Sequence, residues 1–131
     1  MSVSRIEDMN VTVTDSERAA GVMEAVFGWR ARWRGPARDG GHTIRVGSPS
    51  DHIAFYTSRE ADYTPDDFAK GRPLNHIGVE VGASGARVIA AGLAPFNHCD
   101  DELGRRFCFF DPDGIEYEVV SYEGRSVQPG R

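Results

Sequence analysis

Two residues of this chain, His76 and Glu118, have the types and settings that metal chemistry asks for. His76 opens the run Leu74 Asn75 His76 Ile77 Gly78 Val79 Glu80 Val81, and Glu118 closes Asp111 Pro112 Asp113 Gly114 Ile115 Glu116 Tyr117 Glu118. Both runs alternate apolar and polar residues as half-buried strands do. An imidazole nitrogen and a carboxylate oxygen on two strands can share a divalent metal ion such as Zn, Fe, Mn, Ni or Co. The same residues have a plainer reading. A strand histidine can be satisfied inside a core, and Glu118 shares a face with Glu116, as two exposed polar residues would. The first half of the chain carries a fainter copy of both runs, with Asp8 and Ala54 at the matching places.

The elements that must position these residues can be read along the chain. Residues 8–13 alternate, with Met9, Val11 and Val13 apolar. Thr14, Asp15 and Ser16 offer helix caps, Ala19, Ala20, Val22, Met23, Val26 and Phe27 form an apolar helical stripe, and Gly28 stops it. A strand is expected over 29–34, a Gly- and Pro-bearing loop over 35–41, and a hairpin from strands 42–46 and 52–57. After a polar connector over 58–73 the order recurs: a strand over 76–81, a helix over 86–91 capped by Ser84, a strand over 93–97, and a hairpin from 106–110 and 115–122. The turn at 111–114 has Pro112 for a fixed φ and Gly114 for a positive one.

The recurrence is a βαβββ pattern written twice, and offsets test it. Residue 8 maps onto 76 at an offset of 68, and Gly28 onto Gly92 at 64, so the first helix is about one turn longer. An offset of 64 carried through the rest places Ala54 opposite Glu118 and His52 opposite Glu116.

Other candidates are weaker. His52 lies two residues before Ala54 and so on the same sheet face, where it is a displaced metal ligand, a general base beside a ligand, or a pocket-lining histidine. His98, near Asp100, Asp101 and Glu102, belongs to a solvated loop or to a pocket rim. His42 has no carboxylate pattern near it and receives no role. Cys99 and Cys108 lack metal or redox spacing and read as idle thiols. Arg30, Arg32, Arg34 and Arg38 alternate with non-basic residues, as on the outer face of a strand.

At 131 residues and 40% hydrophobic content the chain can bury a core of its own, so a single domain over residues 1–131 is the expectation. With 15 Lys+Arg against 20 Asp+Glu, the net charge of -5 argues against nucleic acid or an anionic membrane as partner and leaves a small molecule. Neither a signal peptide nor a long apolar run is present, so a cytoplasmic protein is expected.

The doubled βαβββ, with Asn75 His76 Ile77 Gly78 Val79 opening one repeat and residues 111–118 closing it, resembles the vicinal oxygen chelate superfamily of glyoxalases, bleomycin-resistance proteins, fosfomycin-resistance enzymes and extradiol dioxygenases. Val11 Thr12 Val13 Thr14 Asp15 supports the match, which spans residues 6–122. The resemblance implies an α+β fold of two tandem βαβββ modules, about 6–58 and 74–122, whose curved mixed sheets pair to enclose a cavity. It implies His76 and Glu118 as metal ligands, with Glu118 also a catalytic base; Asp8, where the family often has His, can still coordinate as a third ligand, while His52 and His98 are ligand-binding candidates from their positions alone. Ala54 stands where glyoxalases have Glu, so the site has one donor fewer. Ring-cleaving dioxygenase chemistry is disfavoured, because only one of its two histidines is in place. The expected function is a metal-dependent lyase, isomerase or dioxygenase acting on a small oxygen-bearing metabolite. The alternative is a metal-free sequestration protein of the bleomycin-resistance type. Either way the small two-module members imply a homodimer, with sites built within one chain or shared between two.

Overall fold

The structure is a computed structural model that describes residues 2–60, 62–82, 85–101 and 104–122. Ser84, Glu102 and the tail 123–131 lie outside the described residues, and with them the expected Ser84 cap. The chain divides into two compact units, Met1–Pro65 and Asp66–Arg131. Their elements run β1 (Asp8–Thr12), α1 (Ser16–Phe27), β2 (Arg30–Pro36), β3 (His42–Gly47) and β4 (His52–Thr57), then β5 (Ile77–Glu80), α2 (Gly85–Ala90), β6 (Phe96–Asp101), β7 (Gly104–Phe110) and β8 (Glu116–Ser121). Each unit is one βαβββ motif, and together they give the α+β class with two mixed sheets.

In the first unit the strand order is β1-β4-β3-β2, with β1 parallel to β4 and the other pairs antiparallel. The α1 helix begins where Asp15 Oδ1 accepts from the Glu17 and Arg18 amides at 3.1 and 3.2 Å. It ends at Gly28, whose φ of 69° is left-handed and whose N–H donates to the Glu24 carbonyl. Ala19, Ala20, Met23 and Val26 form its buried stripe, and it packs on β3 and β4. Ile44 and Val46 stand opposite Phe55 and Ile53 in register, so one face of the sheet is apolar. Each such side chain contributes about 1.5–3 kcal/mol by leaving water, which makes this packing the main restraint on β1 and β4.

Alternation then sends Asp8, Asn10, His52 and Ala54 to the other face. The Arg-rich strand is exposed as expected. Arg32 donates to the Ser48 and Pro49 carbonyls and Arg34 pairs with Glu17. It runs two residues further than the sequence predicts, to Pro36, because β2 is a sheet edge where a missing N–H costs no ladder bond.

The second unit repeats the order as β5-β8-β7-β6. Asn10 pairs with Ala54 and Gly78 with Glu118, so the offsets of 68 and 64 hold for the first and fourth strands. They fail by one in the third strand: Arg45 lies opposite Ala54, whereas Cys108, at an offset of 63, lies opposite Glu118. The difference is taken up in the hairpin loop, which spans 48–51 in the first unit and 111–115 in the second. Asp111 organises the longer loop. Its Oδ1 accepts from the Asp113 and Ile115 amides at 2.9 Å each, and the Gly114 amide donates to its carbonyl at 2.9 Å with Gly114 at φ 84°.

The strand expected over 93–97 instead starts at Phe96 and continues through Asp101. Its charged end reads as loop by composition, but Asp100 stands opposite Arg105 in the ladder and the two side chains pair at 3.4 Å. Among the described residues no helix is long and apolar enough to cross a membrane.

Candidate functional site

In the first unit, Asp8 and His52 are the first partners of the parallel β1·β4 ladder, and Asp8 Oδ2 lies 3.8 Å from His52 Nε2. Glu7, just before β1, joins them: one donor atom from each of the three residues lies within 4.8 Å of the others. His52 Nε2 is buried and has no hydrogen-bond partner among the described residues. Ala54 is 1% exposed and offers no donor. The sequence prediction singled out Asp8 and His52 but passed over Glu7. Strict alternation would send it to the opposite face, whereas it precedes the strand and is not bound by that rule.

In the second unit, His76 stands one residue before β5, and its Nε2 lies 3.9 Å from Glu118 Oε2. Its Nδ1 is 2.8 Å from Asn75 Oδ1; an amide oxygen only accepts, so Nδ1 is the donor of this contact and Nε2 is the nitrogen turned toward Glu118. Glu118 Oε1 accepts from Arg106 Nη1 at 2.8 Å. Both partners are about a quarter exposed. Burial works to lower the Arg106 pKa, but the Glu118 hydrogen bond and charge, helped by Tyr122, outweigh it and leave it raised. Arg106 was not among the residues picked from sequence. Counting back across the 111–115 loop would have placed it opposite Val120, diagonal to Glu118.

Cys108, directly opposite Glu118, has its thiol pushed up to about 11 by burial, then by a hydrogen bond to Glu116 and the charges of Glu116 and Glu118. It stays protonated at neutral pH and does not act as a nucleophile. On the same strands Phe96 and Phe110 stack at 4.9 Å, forming an aromatic end to this face.

His98 goes elsewhere. Its ring stacks on Phe107 at 5.8 Å, and Phe107 stands opposite Val119, on the face alternate to that of Glu118. His42 also lies apart from Asp8 and His52. Its Nδ1 is 3.0 Å from Ser16 Oγ and its Nε2 3.9 Å from Glu17, beside a groove of about 420 Å³ at the start of α1.

The donors fit a divalent ion. Two ligands each about 2.1 Å from one ion lie about 3–4 Å apart, the spacing of both His–carboxylate pairs. The orphaned His52 Nε2 and the His76 Nε2 each face a carboxylate and are placed to serve as ligand atoms.

Comparison with solved structures ties this arrangement to a known fold. A glyoxylase/bleomycin resistance protein/dioxygenase domain from Frankia sp. EAN1pec matches with a TM-score of 0.77 at 21% identity, over 92% of this chain and 98% of that one. The chain has the vicinal oxygen chelate fold. TnmS3, an antibiotic binding protein from Streptomyces sp. CB03234, shares this fold at 20% identity and a TM-score of 0.67, over 92% and 98% of the two chains. So does a variant of the fosfomycin resistance protein FosX from Listeria monocytogenes, at 15% identity and a TM-score of 0.70 over 91% and 93%. That FosX structure is complexed with Mn(II) and 1S,2S-dihydroxypropylphosphonic acid. No protein-family model and no curated protein matches the chain. Within the vicinal oxygen chelate fold, the chain places a His–carboxylate pair at the first and fourth strands of both βαβββ units, with the order of acid and imidazole reversed between them.

Proposed function

We propose that the chain is a divalent-metal-dependent enzyme that acts on a small oxygen-bearing molecule, with His76, Glu118 and Asp8 as metal ligands. The observation that carries this reading is the His76–Glu118 pair, 3.9 Å apart, with His76 Nδ1 donating to Asn75. It gains support from a fold in which a FosX structure holds Mn(II).

A bound divalent ion would supply Lewis-acid stabilisation of a developing oxyanion. His76 offers Nε2 as the ligand atom while Nδ1 donates to Asn75. Arg106 anchors Oε1 of Glu118, which leaves Oε2 to ligate the ion or, exchanged off it, to take a substrate proton. Phe96 and Phe110 give an apolar contact for the substrate on the same face, and His52 lies on the face of Asp8 as a further ligand contact. The enzyme is read as a cytoplasmic homodimer, a point that light scattering checks directly.

A second reading is favoured by one specific observation. Arg106 already neutralises Glu118, and Ala54 adds no donor, which suits a metal-free sequestration protein. TnmS3 is an antibiotic binding protein of this fold. Metal analysis of protein purified without chelators separates the two. Stoichiometric metal that disappears in His76→Ala supports the enzyme. No metal, with small-molecule binding unchanged in that variant, supports sequestration.

A further inference from the structure

The geometry points to a divalent-cation site contained within the first unit and built by Glu7, Asp8 and His52. It goes beyond the proposed function by assigning Asp8 to a different ligand set, the two sets being alternatives, and it rests on that reading only for the use of a divalent metal.

Three independent features converge on these residues. Their donor atoms lie within 4.8 Å of one another, so one ion can reach all three with small side-chain adjustments. His52 Nε2 is buried without a hydrogen-bond partner among the described residues, although Asp8 Oδ2 is only 3.8 Å away. That separation is too long for a hydrogen bond and suits two ligands of one ion. Finally, the packing holds the trio's frame in place. Asp8 and His52 are ladder partners, and their neighbours Ile53 and Phe55 are buried at 5% and 0% exposure.

Charge separates this cluster from the pair in the second unit. Glu7 and Asp8 bring two carboxylates to one imidazole. The cation closest to them in the β3·β4 register, Arg45 opposite Ala54, is drawn over the Trp33 ring at 5.8 Å. In the second unit a guanidinium sits 2.8 Å from Glu118, the carboxylate paired with His76, and an incoming cation must compete with it. One imidazole with two carboxylates selects Mn, Fe, Co, Ni or Zn over Mg or Ca, which take oxygen ligands alone.

The test uses the full chain, stripped with a chelator and titrated with Mn(II), the free ion being followed by electron paramagnetic resonance. Proton NMR of the Co(II) form then identifies the bound imidazole. Glu7 is exposed, so Glu7→Gln leaves folding intact and should weaken Mn(II) binding at least about tenfold, the lower end of what even outer-shell changes cost. His52→Gln, checked by circular dichroism, should abolish the paramagnetically shifted imidazole resonances. His76→Ala should keep both those resonances and one Mn(II) per chain. Wild-type affinity in Glu7→Gln and His52→Gln overturns the inference. Loss of the ion in His76→Ala overturns containment in the first unit while upholding the proposed ligand set. Loss in His52→Gln with retention in His76→Ala does the reverse, and a wild-type chain that binds no Mn(II) or Co(II) sinks both.

Discussion

Replacing Asp111 with asparagine should change how stability depends on pH. Asp111 is 5% exposed and holds the loop that leads into β8, the strand that carries Glu118. Burial raises its pKa from the ordinary 3.8 to about 6, with the charge of Asp113 adding to the rise. The amides of Ile115, Asp113 and Gly114 act in the opposite direction. A carboxyl whose folded-state pKa is raised binds its proton more tightly in the native state. Its contribution to stability is therefore greatest below pH 4 and is lost as pH rises to about 6. At about 1.4 kcal/mol per pKa unit, the loss approaches 3 kcal/mol. Asparagine keeps an oxygen to accept from the Asp113 and Ile115 amides but cannot titrate. Urea unfolding of both proteins at pH 4, 5, 6 and 7 gives the stability difference free of other titrating groups. Wild type minus Asp111→Asn should fall by about 2.4 kcal/mol across that range, the remainder of the loss lying below pH 4. A flat difference would show that the amide donors cancel burial. A difference that rises with pH would show that they dominate, and the reasoning would be wrong in sign.

Three further outcomes follow from local geometry. Asp15→Ala removes the α1 cap and should cost about 1 kcal/mol in thermal or urea unfolding. Gly47→Ala should cost about 2–3 kcal/mol or more, because a Cβ there would meet the His52 Cα at 2.6 Å and the Asp51 carbonyl oxygen closer still, both of them backbone atoms. Arg106→Gln frees Glu118 Oε1. If the His76–Glu118 pair holds the ion, Mn(II) affinity measured by calorimetry should rise about tenfold, as expected for removing a unit charge about 5 Å from a divalent ion in near-aqueous dielectric. Unchanged affinity would place the ion elsewhere.

Much of the architecture was legible in the sequence because two signals agreed. Alternation in residues 8–13 and 52–57 marked the strands, and the stripe ending at Gly28 marked α1; tertiary packing then used the same apolar residues. Counting offsets matched the first and fourth strands of the two units, setting Asp8 against His76 and Ala54 against Glu118. The third strand slipped by one because the Asp111 loop stores an extra residue outside the ladder, something an ungapped offset cannot register. Strand β6 was misplaced because its pairing relies on charge opposite charge, which composition reads as solvent-facing loop. Arg106 escaped notice because its importance lies in a diagonal contact across a hairpin. Glu7 did because it stands outside the strand whose periodicity was being used.

The five-residue loop of the second unit has a consequence for how duplicated motifs drift apart. A residue added within a strand would turn every later side chain over. Captured by a single carboxylate between two strands, it leaves both ladders aligned and every cross-strand pair in place. The neighbour of the key position therefore differs between the units by residue type alone, Arg45 beside Ala54 and Cys108 beside Glu118. Loop length is then free to vary without turning over the side chains that face the site.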